Sequence, residues 1–426
     1  MISRKNIAFQ LGATWERRGL FLSLLLAVVL LATCAPKHAG SDLGAAPIQQ
    51  SAPTLPDAFQ ATLDSMRTRY NLPGATAAYA RADGTVVVVA TGLSDLESER
   101  PMTPTSRMLA ASIGKSFVGA LAAELAHEDV LDLDAPIAQW LGDRPWFQGL
   151  PNRERITLRH LLTHRSGLSD HVHLETFAAA VAQRWQEPDN PFPPDTLVQF
   201  VAGRPARFDP GEGWAYSDTG YILAGLVIEE ATVQKYYDLV QGRFLTPLNL
   251  RHTRPSNHRK LPGLAAGYAA ENPFGWPRKT LTPDSALAWH PGIEWTGGGL
   301  VSTSGDLARW GAALFGGAAL PAAALDRMLN AQPVDPAQPD VRYGMGVALY
   351  QTSPFGPVYG HGGWIPGYTS SLRYYAEHGI AIAFQINTDD GLEDGSTSVV
   401  QAMEARLAEV VLSTGSPKTT DRKRSK

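Results

Sequence analysis

The stretch LAASIGKSFVGALAAELA, residues 109–126, is a run of small and apolar residues with one lysine near its start. Ser112 precedes Lys115 by three residues, and positions i and i+3 share one face of a helix. Ser112 is then expected at a helix N-terminus, where unpaired N–H groups and the helix dipole favour developing negative charge. A serine hydroxyl is a weak nucleophile until another group takes its proton, and a lysine in apolar surroundings can help. By itself, the S-x-x-K spacing more often belongs to an ordinary surface helix.

A second candidate residue, Tyr216, lies in the stretch FDPGEGWAYSDTGYILAGLVIEE, residues 208–230. The Pro-Gly pair at 210–211 indicates a turn, and the apolar run after it predicts a buried helix. Tyr216 is therefore expected on a tight loop just before that helix, a common place for a functional group. A neighbouring ammonium lowers the pKa of a phenol, so Tyr216 beside Lys115 can carry a proton from Ser112 to a leaving group. The alternative is a ring that only covers the core.

A third candidate stretch, YGHGGWIPGYTS, occupies residues 359–370. Three of its residues end a strand pattern and are candidates for substrate binding: His361, Gly362 and Gly363. Glycine in a strand lets another backbone approach closely, so an extended substrate can lie along this edge. The Trp364 N–H can then join the Ser112 N–H in binding a carbonyl oxyanion. His361 is expected to contact an anionic substrate or to donate a hydrogen bond, unless it is a structural histidine in a Gly-rich turn.

The composition of the 426-residue chain is that of an ordinary globular protein, with 44% hydrophobic and 18% charged residues. Its net charge of −4 gives no sign of nucleic-acid binding. The N-terminal residues include a basic leader and the apolar run GLFLSLLLAVVLLAT at 19–33, which is short for a membrane span and suits a secretory signal. Cys34, the only cysteine, follows at once in the manner of a bacterial lipobox. A stray thiol in the leader is the alternative.

The chain is therefore expected to be an exported lipoprotein, anchored through a lipid on Cys34 and facing the periplasm or the cell exterior. The predicted ranges are a signal peptide at 1–33, the lipidated cysteine and a flexible linker at 34–55, a folded domain at 56–412 and a disordered basic tail at 413–426. Short connections between strand patterns favour antiparallel pairing. The sequence predicts an α/β fold whose antiparallel sheet comes from 56–111 and 286–412 and is flanked by helices. A mainly helical region, 112–285, is inserted between them.

Taken together and in this order, the three motifs resemble the serine beta-lactamase-like hydrolases of the class C type. That group includes class C beta-lactamases, D-Ala-D-Ala carboxypeptidases and family VIII carboxylesterases. Ser112 to Lys115 match its S-x-x-K motif, YSD at 216–218 matches its Y-x-N motif, and HGG at 361–363 matches its third motif, K-T-G or H-x-G. Four further stretches look like the same family: LDLDAPIAQWL, ITLRHLLTHRSGLSDH, PGEGWAYSDTGY and TGGGLVSTSGDLARW.

The resemblance implies a beta-lactamase/transpeptidase-like fold and an acyl-enzyme mechanism without a metal or organic cofactor. It implies that Ser112 is the acylated nucleophile, that Lys115 and Tyr216 share the acid–base work, and that the backbone of Ser112 and Trp364 forms the oxyanion hole. Two departures bear on the substrate. Asp218 replaces the usual asparagine, which favours a charged Lys115 and removes an amide donor. His361 and Gly362 replace Lys-Thr, which weakens selection for a carboxylate.

The expected function is hydrolysis of an ester or amide, as in a carboxylesterase or a D-Ala-D-Ala carboxypeptidase, rather than efficient beta-lactam hydrolysis. The expected partner is a small-molecule or peptidoglycan-derived substrate. A non-hydrolytic penicillin-recognising or peptidoglycan-binding lipoprotein is the alternative, and Asp218 favours it. Trp214 and Trp364 flank motif residues and are candidate pocket residues. Four histidines could form a zinc site but are interpreted as surface or loop residues: His160, His164, His171 and His173.

Overall fold

The main sheet joins the two ends of the folded region. The structure is a computed structural model that describes residues 53–184, 187–272, 274–394 and 397–413. Within these residues, nine antiparallel strands pair in the order β3-β2-β1-β12-β11-β10-β9-β8-β7. Their bounds are β1 Gly74–Arg81, β2 Val86–Asp95, β3 Arg100–Pro101, β7 Gln332–Pro333, β8 Val341–Tyr343, β9 Ala348–Tyr350, β10 Val358–Ile365, β11 Tyr368–Tyr375 and β12 Ile380–Ile386.

The short strands outside this sheet hold the neighbouring loops. A three-stranded sheet has the order β4-β6-β5, and a two-stranded one pairs β13 with β14. Their bounds are β4 Met108–Leu109, β5 Arg254–Pro255, β6 Leu300–Ser302, β13 Glu393–Asp394 and β14 Thr397–Ser398. Strand β4 leads directly into the nucleophile motif, so its pairing with β6 fixes where that motif begins.

Helices cover both faces of the main sheet. Their bounds are α1 Leu55–Arg69, α2 Lys115–His127, α3 Ala138–Leu141, α4 Leu158–Leu162, α5 Glu175–Arg184, α6 Pro194–Gln199, α7 Asp218–Thr232, α8 Tyr236–Val240, α9 Ser304–Phe315, α10 Ala322–Leu329 and α11 Val399–Ser413. Helix α1 begins with a capping box between Thr54 and Asp57, at the end of the predicted linker. Helices α1 and α11 pack together on one face, and α9 lies on the other.

The sequence explains why the central strands are buried on both faces. Strand β1 reads GATAAYAR, and seven of its eight residues are buried. It pairs with β2 on one side and with β12 on the other, as in the register Ala77↔Phe384. Small alanines on β1 let helices approach closely. Tyr79 and Phe384 belong to the apolar cluster that lies between the sheet and helices α1 and α11. The two ends of the folded region are therefore bound together by continuous apolar packing.

The predicted fold class is confirmed: an antiparallel sheet is flanked by helices, and a mostly helical segment separates its two halves. The predicted signal peptide, Cys34 and the tail from 414 onward lie outside the described residues, as does the linker up to residue 52. In the part of the chain that the structure describes, no helix has both the length and the apolar character needed to cross a membrane.

Candidate active site

The turn that carries Ser112 is held between two strands. A 3₁₀ helix, Ala111–Gly114, runs into α2, and the Ala110 N–H donates to the Leu300 carbonyl at 2.8 Å. The Ser370 hydroxyl donates to the Ala110 carbonyl, also at 2.8 Å. Ala111 adopts the left-handed conformation with φ +48°, which costs about 1–3 kcal/mol for a residue other than glycine. The clamped backbone before it therefore fixes where the Ser112 hydroxyl stands.

Lys115 is fully buried, and each of its three N–H bonds has an acceptor. The Nζ atom donates to the Ser112 hydroxyl at 3.0 Å. It also donates to the Asp218 carboxylate and to the Gly297 carbonyl. The structure thus brings Ser112, Lys115 and Asp218 together. Lys115 therefore forms a charge-assisted ion pair with Asp218 in which every N–H bond has an acceptor.

Asp218 reaches Lys115 because it opens helix α7. Ser217 caps this helix, with the Gly220 N–H donating to its hydroxyl at 3.4 Å. The Asp218 N–H donates to the Asp170 carboxyl at 3.1 Å. A carboxylate in the first turn also lies at the favourable end of the helix dipole. The Asp218 side chain is 22% exposed, so one side of the ion pair faces a cavity.

The Tyr216 ring lies beside Lys115, with Nζ 5.0 Å from the ring centroid. Burial raises the pKa of Tyr216 well above its ordinary value, the Asp218 charge raises it further, and the nearby Ser112 hydroxyl lowers it by less. The expectation that the ammonium would lower this pKa is therefore wrong, because loss of solvent outweighs it. The buried hydroxyl has no hydrogen bond of normal geometry within the described residues. Tyr216 is a neutral phenol with an unused donor.

His361 does not face substrate, contrary to the expectation from sequence. It lies within β10 rather than at its end, is 1% exposed, and its Nε2 pairs with the Tyr343 hydroxyl at 2.8 Å. Its Nδ1 contacts the Gly362 carbonyl. Burial, and secondarily the Lys115 charge, lower the pKa of His361 to about 3. A buried, neutral ring whose two nitrogens are both occupied supports the wall behind Tyr216.

Trp214 also belongs to this wall rather than to a pocket. Its ring packs edge-on to His164 at 5.8 Å between centroids and contacts Tyr343 at 6.0 Å. It lines neither of the cavities that open beside Ser112. The expectation that Trp214 lines the pocket is therefore wrong, since aromatic packing behind Tyr216 uses its surface.

Gly362, Gly363 and Trp364 lie at the cavity beside Ser112, as the sequence predicts. A Cβ on Gly363 would stand 2.2 Å from the Ala110 carbonyl oxygen, so only glycine lets β10 lie against the nucleophile turn. Trp364 lines both cavities that include Ser112. Its indole N–H donates to Asp389 at 2.9 Å, which holds the ring and the strand around it.

Two histidines expected at the surface are buried. His164 is 1% exposed, packs against the Tyr216 ring in a tilted arrangement with 4.2 Å between centroids, and accepts the Ser217 N–H through Nδ1 at 3.2 Å. His171 is also 1% exposed and pairs with Thr219 at 2.9 Å. Burial lowers the pKa of both rings, to about 4 for His171. Among the described residues, no group of three or more His, Cys, Asp or Glu side chains is arranged to hold a metal ion.

Three groups of this site were not singled out from the sequence: the Gly297 carbonyl, Asp170 and Glu294. Burial and the Asp218 charge raise the pKa of Asp170 to about 8, and burial raises that of Glu294 to about 8. Gly297 lies in the family-like stretch TGGGLVSTSGDLARW, which was a usable signal. Asp170 likewise lies in the family-like stretch ITLRHLLTHRSGLSDH, whereas Glu294 belongs to none of the quoted stretches, so no local pattern pointed to it.

Comparisons with known proteins identify the family of the chain. A family model described as Beta-lactamase matches residues 59–406. The chain is 27% identical over 316 residues to Penicillin-binding protein 4* of Bacillus subtilis (strain 168), covering 71% of this chain and 65% of that protein. It is 33% identical over 205 residues to esterase EstB of Burkholderia gladioli, covering 47% of this chain and 51% of the esterase. The chain thus spans 51–65% of the length of these curated relatives.

Among solved structures, D-amino acid amidase from Ochrobactrum anthropi SV3, complexed with D-phenylalanine, matches with a TM-score of 0.70 and 27% identity. This match covers 84% of the chain and 99% of the amidase. The resemblance found in the motifs is confirmed by these comparisons. Because the family model covers most of the chain, the protein belongs to the Beta-lactamase family, the serine beta-lactamase-like hydrolases.

Proposed function

We propose that the protein is an exported serine hydrolase that forms an acyl-enzyme on Ser112 with an ester or amide substrate. The observation that carries the proposal is the 3.0 Å contact between the Lys115 Nζ and the Ser112 hydroxyl, made by a fully buried lysine that is paired with Asp218. On an ordinary surface helix a lysine side chain stays in solvent, because burying its charge is costly. A nucleophile held against a group that can exchange protons is the arrangement that nucleophilic catalysis needs.

The proton of Ser112 needs an acceptor, and Asp218 supplies one through Lys115. As the Ser112 oxygen bonds to the substrate carbonyl carbon, its proton passes to Lys115, and Lys115 passes one of its own to the Asp218 carboxylate. When the tetrahedral adduct collapses, the leaving group takes a proton from Lys115, which recovers one from Asp218. The resting charges are thereby restored. In the second half, the oxygen of a water bonds to the acyl carbonyl carbon while a water proton passes through Lys115 to Asp218. The bond from the acyl carbon to the Ser112 oxygen then breaks, Ser112 recovers a proton from Lys115, Lys115 recovers one from Asp218, and the acid is released.

Two backbone N–H groups, those of Ser112 and Trp364, are proposed to bind the oxyanion of the adduct. Both residues line the same cavity, and Gly363 holds β10 close to the turn. Such donors cost no reorganisation at the moment of reaction and contribute about 10²–10³ in rate. The neutral phenol of Tyr216 donates a hydrogen bond to the leaving group, since its hydroxyl has no other partner among the described residues.

The substrate class follows from what surrounds Ser112. His361 is buried and neutral, so it gives no charge to a substrate carboxylate. This favours an esterase, or a peptidase of unusual specificity that does not depend on a charged contact to a substrate carboxylate, over an efficient beta-lactamase. The names of the esterase and amidase relatives support the same classes of bond. Export and a lipid on Cys34 rest on the leader sequence alone.

A second candidate function is ligand binding without turnover. One observation favours it: the Asp218 carboxylate and two further acceptors hold Lys115 in its charged form. If Asp218 does not take the proton, Ser112 stays unactivated. This candidate predicts a bound ligand and no released product.

Turnover of p-nitrophenyl butyrate by the wild type, Ser112→Ala and Ser98→Ala separates the two candidates. Ser98 is exposed on the turn before β3 and lines neither cavity beside Ser112, so its variant controls for handling and folding. We expect Ser98→Ala to match the wild type and Ser112→Ala to lose about 10³-fold or more in kcat/KM. Equal turnover by Ser112→Ala would refute the acyl-enzyme, and binding without turnover in the wild type would support the second candidate.

A further inference from the structure

A second cavity beside Ser112 has an apolar wall and one carboxyl group that has no ion-pair partner among the described residues. Aromatic rings form much of the wall: Phe177, Phe274 and Trp276. Helix α7 adds Ile222, and the 3₁₀ turn Pro291–Ile293 leads into Glu294. Cavities of this composition take an apolar group and orient it with a few polar contacts. Glu294 is one of those polar groups, and nothing in the proposed acyl-transfer steps uses it.

The Glu294 carboxyl group lies next to the nucleophile turn. Gly298 stands between them: a Cβ built on Gly298 would approach the Ala111 carbonyl carbon at 2.6 Å and the Glu294 Oε1 at 3.0 Å. The side chain is partly exposed to the cavity, whereas its Oε2 is shielded from solvent. A group bound by Glu294 therefore lies close to the turn that carries Ser112, at the cavity that both residues line.

The other charged groups of the cavity are already compensated. The Asp218 carboxylate pairs with Lys115, and His171 is held as a neutral ring by burial and by Thr219. Glu294 forms no ion pair with a Lys, Arg or His of the described chain, and its Oε2 accepts no hydrogen bond there. A shielded carboxyl oxygen without a partner is unfavourable unless a ligand completes it. An ammonium group can be such a partner, because it donates hydrogen bonds and pairs with the carboxylate form.

We propose that Glu294 binds the protonated amine of an amino-acyl substrate whose apolar side chain lies against Phe177, Phe274 and Trp276. The α-ammonium of such a substrate is two bonds from the carbonyl carbon, which fits a receptor beside the Ser112 turn. Aromatic rings favour an apolar or aromatic side chain and attract a nearby cation. This inference rests on the proposed function, because it names the acyl group that Ser112 accepts.

The burial of Glu294 is consistent with this role. Without a ligand, burial raises the pKa of its carboxyl group to about 8, so the group holds a proton at neutral pH. A bound ammonium would restore the carboxylate and form a charge-assisted hydrogen bond in a place with little water. An acyl group without an amine would leave the Glu294 carboxyl group protonated and without this hydrogen bond.

The test compares phenylalanine methyl ester, as separate D and L forms, with methyl 3-phenylpropionate, which lacks only the amine. Hydrolysis by the wild type, Glu294→Gln and the control Glu409→Gln is followed by chromatography of the released acids. Glu409 lies on α11 with a side chain 54% exposed. We expect the wild type to prefer one amino ester. Glu294→Gln should lose about 10- to 100-fold in kcat/KM for that ester and little for methyl 3-phenylpropionate.

The ratio of the two rates within one variant does not depend on how much of the protein is folded. Equal losses for both esters in Glu294→Gln would overturn the proposal and assign Glu294 to the support of Lys115. A wild type that hydrolyses both esters equally well would also overturn it, while leaving the Ser112 mechanism intact. A wild type that hydrolyses neither ester nor p-nitrophenyl butyrate would contradict both the mechanism and the subsite.

Discussion

Tyr216 shows how the environment of a single residue decides its chemistry. The sequence predicts a phenol activated by Lys115, and the two side chains do meet, at 5.0 Å from ammonium to ring centroid. Full burial and the Asp218 charge nevertheless raise the pKa of Tyr216, so it remains protonated. The protonated Tyr216 hydroxyl has no acceptor among the described residues, and in the proposed mechanism the leaving group becomes that acceptor. In the proposed mechanism the proton of Ser112 therefore goes through Lys115 to Asp218.

Tyr216→Phe should separate catalysis from stability. The hydroxyl makes no regular hydrogen bond among the described residues, so its removal costs little and relieves an unsatisfied buried group. We expect the thermal midpoint to stay level or rise, while kcat for ester hydrolysis falls about 10²-fold or more. Thermal unfolding and steady-state kinetics of the same preparation check both. A lower midpoint with unchanged kcat would mean that the ring and hydroxyl are purely structural.

At the scale of elements, the start of α7 depends on a buried carboxyl group. Asp170 accepts the Asp218 N–H at 3.1 Å and the Val172 N–H at 3.4 Å, and so ties the loop of the buried histidine His171 to the helix. Burial raises the pKa of Asp170 to about 8. The neutral acid is therefore the form that belongs in the folded protein near pH 7, beside the Asp218 carboxylate.

Asp170→Asn should change how stability depends on pH. The pKa of Asp170 is near 4 in the unfolded chain and about 8 in the folded one, so its stabilising contribution is complete below pH 4. That contribution falls as the pH rises and is lost above pH 8. Asparagine keeps the acceptor and cannot ionise. In urea unfolding, we expect the wild type to lose about 1 kcal/mol or more relative to Asp170→Asn between pH 5 and pH 8. A parallel pH dependence of the two proteins would rule this out.

Contacts within and between elements show which parts of the site the sequence could predict and which it could not. The contact of Ser112 with Lys115 was predictable, because i and i+3 share a helix face. The partnership of Lys115 with Asp218 spans 103 residues and came from the motif resemblance, not from local spacing. Glu294 has no motif, so only the folded chain could bring it to the cavity. His361 was misjudged because its burial depends on Tyr343, eighteen residues earlier and on another strand.

At the scale of the whole molecule, the fold holds the site between distant segments. Strands from both ends of the folded region form the sheet that carries Gly362 and Gly363, and the helical segment between them supplies Asp218. Strand patterns at both ends of the domain, joined by short connections, predicted the antiparallel sheet and the helical region between its halves, and the motif resemblance predicted the place of Asp218. The ranges expected outside the folded domain rest on the leader and tail compositions, and they stay predictions.

Cys34→Ser tests the predicted anchor. If Cys34 carries lipid, the full chain expressed in a bacterium that processes lipoproteins should incorporate labelled palmitate and fractionate with membranes. The serine variant should lose the label and move to the soluble exported fraction, because a hydroxyl cannot form the thioether. Ester hydrolysis should persist in both fractions. A wild type found unlabelled and soluble would contradict the lipid anchor without affecting the mechanism.

The central claim is that Ser112 becomes acylated, and mass spectrometry tests it most directly. The wild type and Ser112→Ala are mixed with p-nitrophenyl butyrate, stopped in acid within seconds, and analysed first intact and then as peptides. The account predicts one added butyryl group in the wild type, mapped to Ser112 within residues 109–126, and none in Ser112→Ala. An unmodified wild type that still turns over the ester, or a butyryl group on a different residue, would contradict it.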